Sequence, residues 1–424
     1  MDRTDVLIVG GGGTGTGIAR DLAMRGVDVT LVDRGGLGSG TTGRSHGLLH
    51  SGARYAEADA TGARECIAEN EILREIAGRC IDDSGGLFVQ LSEDDPDYFD
   101  EKRDACREHG IPAEELTPEE ARETVPDLAD DVERALSVPD GVIYPSRLVA
   151  ATAAGAREHG ATVLPDAPVI DLLVEDSEGR RPSNQSSGQR PRDEAVVGAE
   201  LDHEVGEIRA DHVVNATGAW ADQLGSMAGV DLDMKPTRGV MVGVDYPGLG
   251  PVVNRCRPPS DGDIVVPHEN EAVLGTTSVA VDDPDDYEQA DWEIEQTIEE
   301  CAAMLPPVAD ASRTRTYWGV RPLYGPEEAE LEGERGISRG FFVVDHADRD
   351  GVDGFTSVVG GKLTTHRLMA EAAADHVADV LGVDAPCRTA EETLPGHRDP
   401  ERLDALVEEF DAGGPADADV IGGR

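Results

Sequence analysis

Lysine is almost absent from this sequence, and so are long apolar runs. Lys102, Lys235 and Lys362 are its only lysines, and 86 acidic residues outnumber 37 lysines and arginines, for a formal net charge of −49. Such a surface repels nucleic acid, because phosphate contacts depend on Lys and Arg. No apolar run approaches the roughly 20 residues that span a bilayer, and the first residues lack the basic, apolar and small-residue order of a signal peptide. We therefore expect a cytoplasmic protein without nucleic-acid partners.

The acidic surface also predicts the solvent in which the protein works. Arginine supplies nearly all of the positive charge, and concentrated salt screens the repulsion among so many carboxylates. We interpret this composition as halophilic. An acidic surface that binds a partner is the alternative interpretation.

Cysteine is scarce and scattered. The six cysteines include no Cys-x-x-Cys pair and no nearby histidines at zinc-ligand spacing. In a cytosolic chain this pattern is typical of reduced thiols rather than of disulfides or a metal cage. We expect no metal site.

A glycine-rich turn joins a strand to a helix near the N-terminus. Gly10–Gly15 has the spacing G-x-G-x-x-G, the strand-like run Val6–Val9 precedes it and the helical run Ile18–Met24 follows. A second strand, Asp28–Val32, leads into Asp33, about 20 residues downstream, where an acid can bind a ribose hydroxyl. Such a helix N-terminus favours a pyrophosphate. The unit predicts dinucleotide binding, and a plain β–α turn is the alternative.

The turn by itself does not separate NAD from FAD. Its position at the extreme N-terminus favours FAD, and so does segment 38–47, whose Ser, Thr and Gly residues can approach phosphates and a ribityl chain. A flexible surface loop is the alternative interpretation of this segment.

In each of two later segments, a predicted strand ends in small residues. Val213–Trp220 contains Ala-Thr-Gly, which leaves room for a backbone to approach a ligand. In Val359–Arg367 two glycines precede a helix predicted over 363–381, whose N-terminal dipoles can stabilise a reduced flavin anion. Lys362 lies at this junction, and a solvated lysine in the first helical turn is the alternative.

Three segments carry a specific family resemblance: His50–Tyr55 (HSGARY), Tyr317–Leu323 (YWGVRPL) and Gly360–Arg367 (GGKLTTHR). With them the chain resembles the glycerol-3-phosphate dehydrogenase branch of the FAD-dependent amine and hydroxy-acid oxidases, and in particular the catalytic A subunits of the anaerobic, quinone-linked enzymes. Pro386–Gly396 is similar to the segment that comes after their flavin domain. The resemblance implies FAD as cofactor, glycerol 3-phosphate as substrate, and partner subunits that pass electrons to a quinone at the inner face of the membrane.

The resemblance also implies the residues that bind and oxidise the substrate. Arg54, Arg321 and Arg339 match residues that hold the substrate phosphate, and the planar, always-charged fork of Arg suits a dianion. His50 is the candidate base, because imidazole accepts a proton near neutral pH; a hydrogen bond to the flavin is its alternative role. The predicted catalytic residues are His50, Arg54, Tyr55, Arg321, Arg339 and Lys362.

The motifs and the resemblance together predict the cofactor site. Its members come from the N-terminal turn, the hydroxyl-rich segment and the later small-residue segments. They are Gly10, Gly12, Gly13, Thr14, Gly15, Asp33, Arg34, Thr41, Thr42, Ser45, His46, Gly47, Val169, Thr217, Gly218, Trp220, Gly319, Gly360, Gly361, Lys362, Leu363 and Thr364.

The predicted fold class is α/β, with a doubly wound, Rossmann-like FAD-binding domain and a substrate domain on a mixed or antiparallel sheet. A chain of 424 residues suits two domains. Segment 176–194 is polar and of low complexity, so it predicts a flexible insertion between two strands that pair as a hairpin, Val169–Val174 and Ala195–Leu201. The FAD-binding domain is predicted at 1–76, 143–220 and 340–383, the substrate domain at 77–142 and 221–339, and a C-terminal tail at 384–424.

The chain departs from the resemblance at its C-terminal end. The related catalytic chains usually continue into a Cys-rich domain that can hold an iron–sulfur cluster, whereas Cys387 is the only cysteine here after Cys301. We expect no cluster in this chain, which leaves the electron exit route open. Two alternatives also stay open: an amino-acid or 2-hydroxy-acid oxidase of the same superfamily, and a non-catalytic flavin-binding assembly subunit.

Overall fold

The computed structural model describes residues 2–176, 194–325 and 340–421. Residues 177–193 of the predicted insertion lie outside these ranges. In chain order the strands are β1 (Asp2–Val9), β2 (Val29–Val32), β3 (Leu48–Leu49), β4 (Ile81–Asp82), β5 (Gly86–Leu91), β6 (Glu114–Leu116), β7 (Val132–Val138), β8 (Gly141–Ile143), β9 (Thr162–Leu164), β10 (Val169–Asp176), β11 (Glu194–Leu201), β12 (Glu207–Asn215), β13 (Thr237–Val244), β14 (Val252–Arg255), β15 (Ile264–Pro267), β16 (Ala272–Gly275), β17 (Val279–Ala280), β18 (Arg313–Arg321), β19 (Phe341–Asp345), β20 (Val352–Asp353) and β21 (Phe355–Gly360). The helices are α1 (Gly13–Met24), α2 (Ala60–Ala77), α3 (Pro96–Glu108), α4 (Pro118–Thr124), α5 (Pro145–Glu158), α6 (Ala221–Met227), α7 (Asp291–Met304), α8 (His346–Arg349), α9 (His366–Leu381), α10 (Pro400–Glu409) and α11 (Ala418–Ile421).

The first sheet has the order β10-β11-β12-β1-β2-β9, and β21 joins it beside β12. Strands β12, β1, β2 and β9 run parallel, and β21 is parallel to β12. Parallel neighbours need crossover connections, which the intervening helices supply. Strands β10 and β11 pair antiparallel, which confirms the predicted hairpin.

Helices cover one face of this sheet. Ile18 and Leu22 of α1 pack with Val149 of α5 and Val377 of α9 in one apolar core. The opposite face is covered by a second core that joins β10 and β11 to Leu224 of α6, rather than by a second layer of long helices. The parallel strands are therefore buried on both faces, as their β-branched composition requires.

The second sheet is mixed. Its order is β17-β13-β16-β15-β14-β5-β7-β6, with β18 beside β13. Most of its pairs are antiparallel, whereas β14 and β5 run parallel. Helix α7 packs on this sheet through Ile294, Cys301 and Met304. A small third sheet, β3-β8-β4, joins residues from both predicted domains.

The strands follow the predicted division of the chain. Every strand of the first sheet lies in a range predicted for the FAD-binding domain, and every strand of the second lies in a range predicted for the substrate domain. The domain boundaries themselves stay a prediction.

The segment predicted as a C-terminal tail packs against the first sheet's helices and, near its described end, against the second sheet, where Arg315 of β18 donates to the Pro415 and Ala416 carbonyls. The core that α1 and α5 form includes Leu406 and Val407 of α10 and Phe410 just after it. Their spacing of three and four residues places them on one face of a helix. Beyond α10, the buried carboxylate of Asp417 accepts hydrogen bonds from the backbone N–H and the hydroxyl of Ser146, at 2.9 and 2.6 Å.

The last long helix begins later than predicted. The pattern predicts a helix from residue 363, whereas α9 begins at His366. Gly360 and Gly361 both have φ near +80°, a region that L side chains rarely occupy, and a turn follows in which Thr365 N–H donates to the Lys362 carbonyl. Lys362 therefore lies in the connection and not in the first helical turn.

The described residues hold neither a membrane-spanning helix nor a cluster of metal ligands. None of the described helices is both long and apolar enough to cross a membrane. Within the same ranges, no three His, Cys, Asp or Glu side chains come together as the ligands of a metal ion would.

Candidate functional site

A cavity of about 620 Å³ opens at the carboxyl ends of the parallel strands of the first sheet. Val9 ends β1, Val32 ends β2 and Ala216 follows β12, and all three line the cavity. Ligands of open α/β sheets bind at this edge, because the connections there leave a crevice. Residues of the second sheet, among them Val320 and Arg321 of β18, close the cavity from the other side.

The glycine-rich turn forms one wall of the cavity. A side chain at Gly15 would collide with the carbonyl oxygen of Gly10, and a side chain at Gly10 with that of Ala216. The turn therefore packs against the first helix and β12 more closely than any other residue would permit. Helix α1 begins at Gly13. Its N-cap residue, Gly12, has no side chain that could bind the first backbone N–H groups, and this N-terminus faces the cavity. This cradle of backbone N–H groups fits a pyrophosphate.

Asp33 is held at the end of β2 by two backbone N–H groups. Gly11 N–H donates to one carboxylate oxygen at 2.6 Å and Gly35 N–H to the other at 3.0 Å. Burial raises the pKa of Asp33, and these two hydrogen bonds oppose the rise. The carboxylate lines the cavity, so its position fits a ribose hydroxyl.

The hydroxyl-rich segment 38–47 is fixed against β18 and is not a flexible surface loop. Thr41 donates its hydroxyl to the Val320 carbonyl at 2.6 Å, and Thr42 accepts from Gly13 N–H at 3.1 Å. A side chain at Gly319 would collide with the Arg44 carbonyl. The segment therefore bridges the glycine-rich turn and the second sheet, in a position that suits phosphate and ribityl oxygens.

Most of the predicted cofactor residues lie around this one cavity. Those that line it are Gly10, Gly12, Gly13, Thr14, Asp33, Arg34, Thr41, Thr42, Ser45, His46, Val169, Thr217, Gly218, Trp220, Gly360, Gly361, Lys362 and Leu363. Gly15, Gly47, Gly319 and Thr364 are not part of its lining. Each instead supports the wall: Gly47 packs against the Ile143 carbonyl, and Thr364 accepts a hydrogen bond from His50 N–H at 3.0 Å.

Three of the predicted catalytic side chains form a cluster beside this wall. Tyr55 Oη and His50 Nε2 lie 3.2 Å apart. The Lys362 ammonium lies 4.6 Å from the centre of the Tyr55 ring and 3.7 Å from a carboxylate oxygen of Asp59. The Lys362 side chain is only 5% exposed, which rules out the alternative of a solvated lysine. All three residues of the cluster line the cavity.

The three predicted phosphate-binding arginines have different surroundings. Arg321 lines the cavity. Arg54 is not part of the cavity lining, because its guanidinium makes a 2.7 Å ion pair with Asp263, whose side chain is buried. Arg339 lies outside the described residues. The convergence of Arg54 and Arg339 on the substrate therefore stays a prediction.

One wall of the cavity is formed by a segment that the sequence analysis did not predict as part of the site. The segment between β17 and α7 contributes Pro284, Asp285, Tyr287 and Gln289 to the lining. Trp220 donates its ring N–H to Asp285 at 2.8 Å. In the sequence this segment is an acidic stretch without a motif, so no local signal predicted its role. His366 was also missed; it lines the cavity and donates Nδ1–H to the Leu363 carbonyl at 2.8 Å.

Comparison with known proteins agrees with this geometry. Residues 5–367 match the model of the family described as FAD dependent oxidoreductase. The chain is 52% identical over 418 residues to the A1 subunit of the anaerobic glycerol-3-phosphate dehydrogenase of Haloferax volcanii, with 96% of this chain and 68% of that protein covered. It is 42% identical over 406 residues to the A subunit of the anaerobic glycerol-3-phosphate dehydrogenase of Escherichia coli, with 94% and 71% covered.

A solved structure shows the same fold. Glycerol-3-phosphate dehydrogenase from Bacillus halodurans, complexed with FAD, superposes with a TM-score of 0.65 at 23% identity, with 96% of this chain and 71% of that chain covered. The predicted α/β fold class is therefore confirmed.

Proposed function

This chain belongs to the family of FAD-dependent oxidoreductases, and we propose that it oxidises sn-glycerol 3-phosphate to dihydroxyacetone phosphate. Its cofactor is FAD, which when bound accepts the hydride from C2 of the substrate. The observation that carries the proposal is that two cationic side chains, Arg321 and Lys362, line the same cavity as the dinucleotide-binding turn.

The cofactor would extend along the wall that the first sheet provides. The N-terminal turn and the start of α1 suit the pyrophosphate, and Asp33 suits the adenosine ribose. The turn from Gly360 to Leu363 would lie at the ring end, because it follows β21 and lies beside His50 and Tyr55. This orientation leaves the cluster of His50, Tyr55 and Lys362 next to the reacting atoms.

The phosphate of the substrate requires positive charge. In a chain with a net charge of −49, cations that line a cavity attract a dianion that the rest of the surface repels. Arg321 offers a planar fork of N–H donors and Lys362 a compact ammonium, and both types of group bind phosphate. Arg54 and Arg339 are proposed as further phosphate ligands on the strength of the resemblance.

The hydroxyl proton of the substrate requires a base. His50 is the proposed base, since its Nε2 lies in the cavity wall within 3.2 Å of the Tyr55 hydroxyl. Depending on the tautomer, the Tyr55 hydroxyl donates to Nε2 or accepts from it, and in either case it orients the imidazole ring. A role for His50 as a hydrogen-bond partner of the flavin remains the alternative.

Electrons must leave the reduced cofactor. The similar proteins of Haloferax volcanii and Escherichia coli are both named as subunits of an anaerobic dehydrogenase, which supports partner subunits for this chain. We infer that these partners pass the electrons to a quinone at the inner face of the cell membrane.

The test is anaerobic reduction of the bound flavin. The purified protein, kept in concentrated KCl, would be mixed with sn-glycerol 3-phosphate, sn-glycerol 1-phosphate, glycerol, glycine or lactate, and loss of the oxidised-flavin absorbance followed in time. Rapid bleaching by sn-glycerol 3-phosphate and slow bleaching by glycerol are expected. Bleaching by glycine or lactate instead would indicate an amino-acid or hydroxy-acid oxidase. A protein that binds FAD but is reduced by none of these compounds would be a non-catalytic assembly factor.

A further inference from the structure

The Arg321 side chain rests on a turn formed by two threonines. One terminal nitrogen, Nη2, donates to Thr276 Oγ1 at 3.1 Å and to the Thr277 carbonyl at 3.0 Å. The other, Nη1, lies 3.5 Å from the Arg238 carbonyl. The position of the guanidinium in the cavity therefore depends on where this turn lies.

The threonine turn is itself fixed by a buried carboxylate. Thr277 is fully buried, and its hydroxyl donates to Glu293 Oε1 at 2.8 Å and accepts from Val240 N–H at 3.1 Å. Glu293 lies in the first turn of α7 and is fully buried as well. Thr277 thus contacts Arg321 through its carbonyl and Glu293 through its hydroxyl.

A buried arginine completes this arrangement. Arg238 makes a two-point ion pair with Glu293, in which Nε and Nη2 both lie 3.0 Å from Oε2. The two oxygens of Glu293 are therefore occupied by different partners, one by Arg238 and the other by Thr277. A carboxylate held at both oxygens has little freedom to move, so it is a rigid support for the turn.

The space for this arrangement comes from Gly239. A side chain at this position would collide with Thr276 Oγ1, with the Thr277 carbonyl and with Arg321 Nη2. The one missing side chain therefore lets β13 pass beneath both the threonine turn and the guanidinium. Residue 239 lies on β13 opposite Gly319 of β18.

We propose that Thr277, supported by Glu293, is a positioning residue that holds Arg321 in the orientation that binds the anionic group of the substrate. The inference deepens the proposed function and rests on it for the identity of that anion. Arg321 touches the ligand, whereas Thr277 and Glu293 act only through Arg321. Small displacements of a ligand-binding charge have large effects, because its hydrogen bonds to the anion depend on distance and angle.

The test compares three variants of the FAD-loaded protein. Thr277→Val removes the hydroxyl at nearly constant volume, and Thr277→Ser keeps a hydroxyl. Thr297→Val is the matched control, since Thr297 is equally buried and lies on α7, but its hydroxyl finds no hydrogen-bond partner among the described residues. Each variant is assayed with glycerol 3-phosphate and with glycerol, and its affinity for inorganic phosphate is measured from the change in flavin absorbance.

Thr277→Val is expected to weaken phosphate binding and to raise the KM for glycerol 3-phosphate by about 5- to 50-fold, which is part of the loss expected for one charged hydrogen bond. Its kcat, its turnover of glycerol and its FAD content should stay close to those of the wild type. Thr277→Ser should restore most of the phosphate affinity, and Thr297→Val should leave it unchanged.

Other outcomes would overturn the inference. Wild-type phosphate affinity in Thr277→Val would show that the hydroxyl does not position Arg321, and equal losses in Thr277→Ser would show that packing matters instead. A parallel loss of FAD and of glycerol turnover would indicate a general structural role. If the wild type is not reduced by glycerol 3-phosphate, the proposed function fails, and the phosphate titration still decides whether Thr277 positions Arg321. A wild type that is reduced by glycerol 3-phosphate but binds no phosphate keeps the proposed function and contradicts the inference.

Discussion

Arg34 and Asp285 form a two-point ion pair at the rim of the cavity, with nitrogen–oxygen distances of 2.8 and 3.2 Å. Arg34 follows β2 of the first sheet, whereas Asp285 lies between β17 and α7 of the second. The Arg34 guanidinium also lies 4.5 Å from the centre of the Trp220 ring. Both charged side chains line the cavity and are about half exposed, at 53% and 48%. The pair therefore ties the two sheets together at the rim of the proposed cofactor site.

This ion pair is expected to slow the release of FAD. Asp285→Asn removes the charge but keeps an acceptor for Trp220, and an exposed ion pair contributes about 0.2–1 kcal/mol, so release should become about 1.5- to 5-fold faster. The measurement is the growth of free-FAD fluorescence after dilution. Concentrated KCl should reduce the difference, because salt screens exposed charges.

The matched control for this experiment is a second exposed ion pair. Arg3 and Asp211 lie 2.8 Å apart at 69% and 36% exposure, on the first sheet and outside the cavity lining. Asp211→Asn should leave FAD release unchanged. Equal release rates in Asp285→Asn and the wild type would contradict the role of the rim.

Arg321→Ala tests the proposed phosphate site. Loss of one charged hydrogen bond costs about 1.5–3 kcal/mol, so kcat/KM for glycerol 3-phosphate should fall about 10- to 200-fold. Turnover of glycerol, which has no phosphate, should change little, and the FAD content should stay the same. Arg339→Ala tests the predicted role of Arg339 in the same way. Wild-type kinetics in Arg321→Ala with FAD bound would refute the site.

Arg54→Ala should lose stability in addition to activity. Breaking its ion pair leaves the buried Asp263 carboxylate without that partner, and breaking a buried pair costs about 3–5 kcal/mol. The double variant Arg54→Ala/Asp263→Asn removes the stranded charge. It should recover part of the free energy of unfolding, measured by urea denaturation, without recovering kcat/KM. Recovery of both would show that Arg54 is structural only.

His50→Asn decides between the two roles of His50. A general base contributes about 10²- to 10⁴-fold, so a catalytic His50 predicts a fall in kcat of that size while FAD stays bound. Tyr55→Phe should have a smaller effect, since Tyr55 only orients the imidazole. A fall of less than about tenfold in His50→Asn would favour a hydrogen bond to the flavin. Rates of anaerobic flavin reduction measure the step directly.

His366 is expected to make the protein less stable in mild acid. Burial lowers the pKa of His366 to about 4, whereas an unfolded histidine has a pKa of about 6.5. Below pH 6.5 the unfolded state therefore binds a proton that the folded state does not. Stability falls as the pH falls, by about 1.6 kcal/mol between pH 6.5 and pH 5. The measurement is the free energy of unfolding at both pH values.

His366→Gln keeps an N–H donor but does not titrate. Between pH 6.5 and pH 5 the free energy of unfolding of this variant should therefore fall by about 1.6 kcal/mol less than that of the wild type. Burial raises the pKa of some carboxyl groups, such as Asp417 and Glu69, and these groups increase stability as the pH falls. They are present in the wild type and in the variant alike, so they do not affect the difference between the two. An identical pH dependence in wild type and variant would contradict the buried, neutral state of His366.

The sequence predicts those parts of the site whose function depends on residues that are close together in the chain. The turn from Gly10 to Gly15 and the acid Asp33 belong to one strand–helix–strand unit, and the structure places both in the cavity wall. The spacing of the glycines is itself the physical requirement, because only glycine permits the close approach to Gly10 and Ala216. Lys362 could be predicted for a different reason, because the chain has only three lysines and one of them lies in the segment Val359–Arg367. The salt requirement predicted from the net charge stays a prediction.

The tertiary structure decided everything that depends on segments far apart in the chain. Asp285 reaches the rim only because the second sheet closes over the first, and its acidic surroundings in the sequence give no hint of Arg34 or Trp220. Thr277 lies between Thr276 and Ser278, and Glu293 lies among acidic and apolar residues, so neither belongs to a motif. Packing of α7 on β13 nevertheless buries both behind Arg321. Arg54 pairs with Asp263, more than 200 residues later in the chain, a contact that no sequence pattern indicates, and its role as a phosphate ligand stays a prediction. Local spacing determines which backbone can hold a dinucleotide, whereas burial and charge pairing across the two sheets determine which side chains line the cavity.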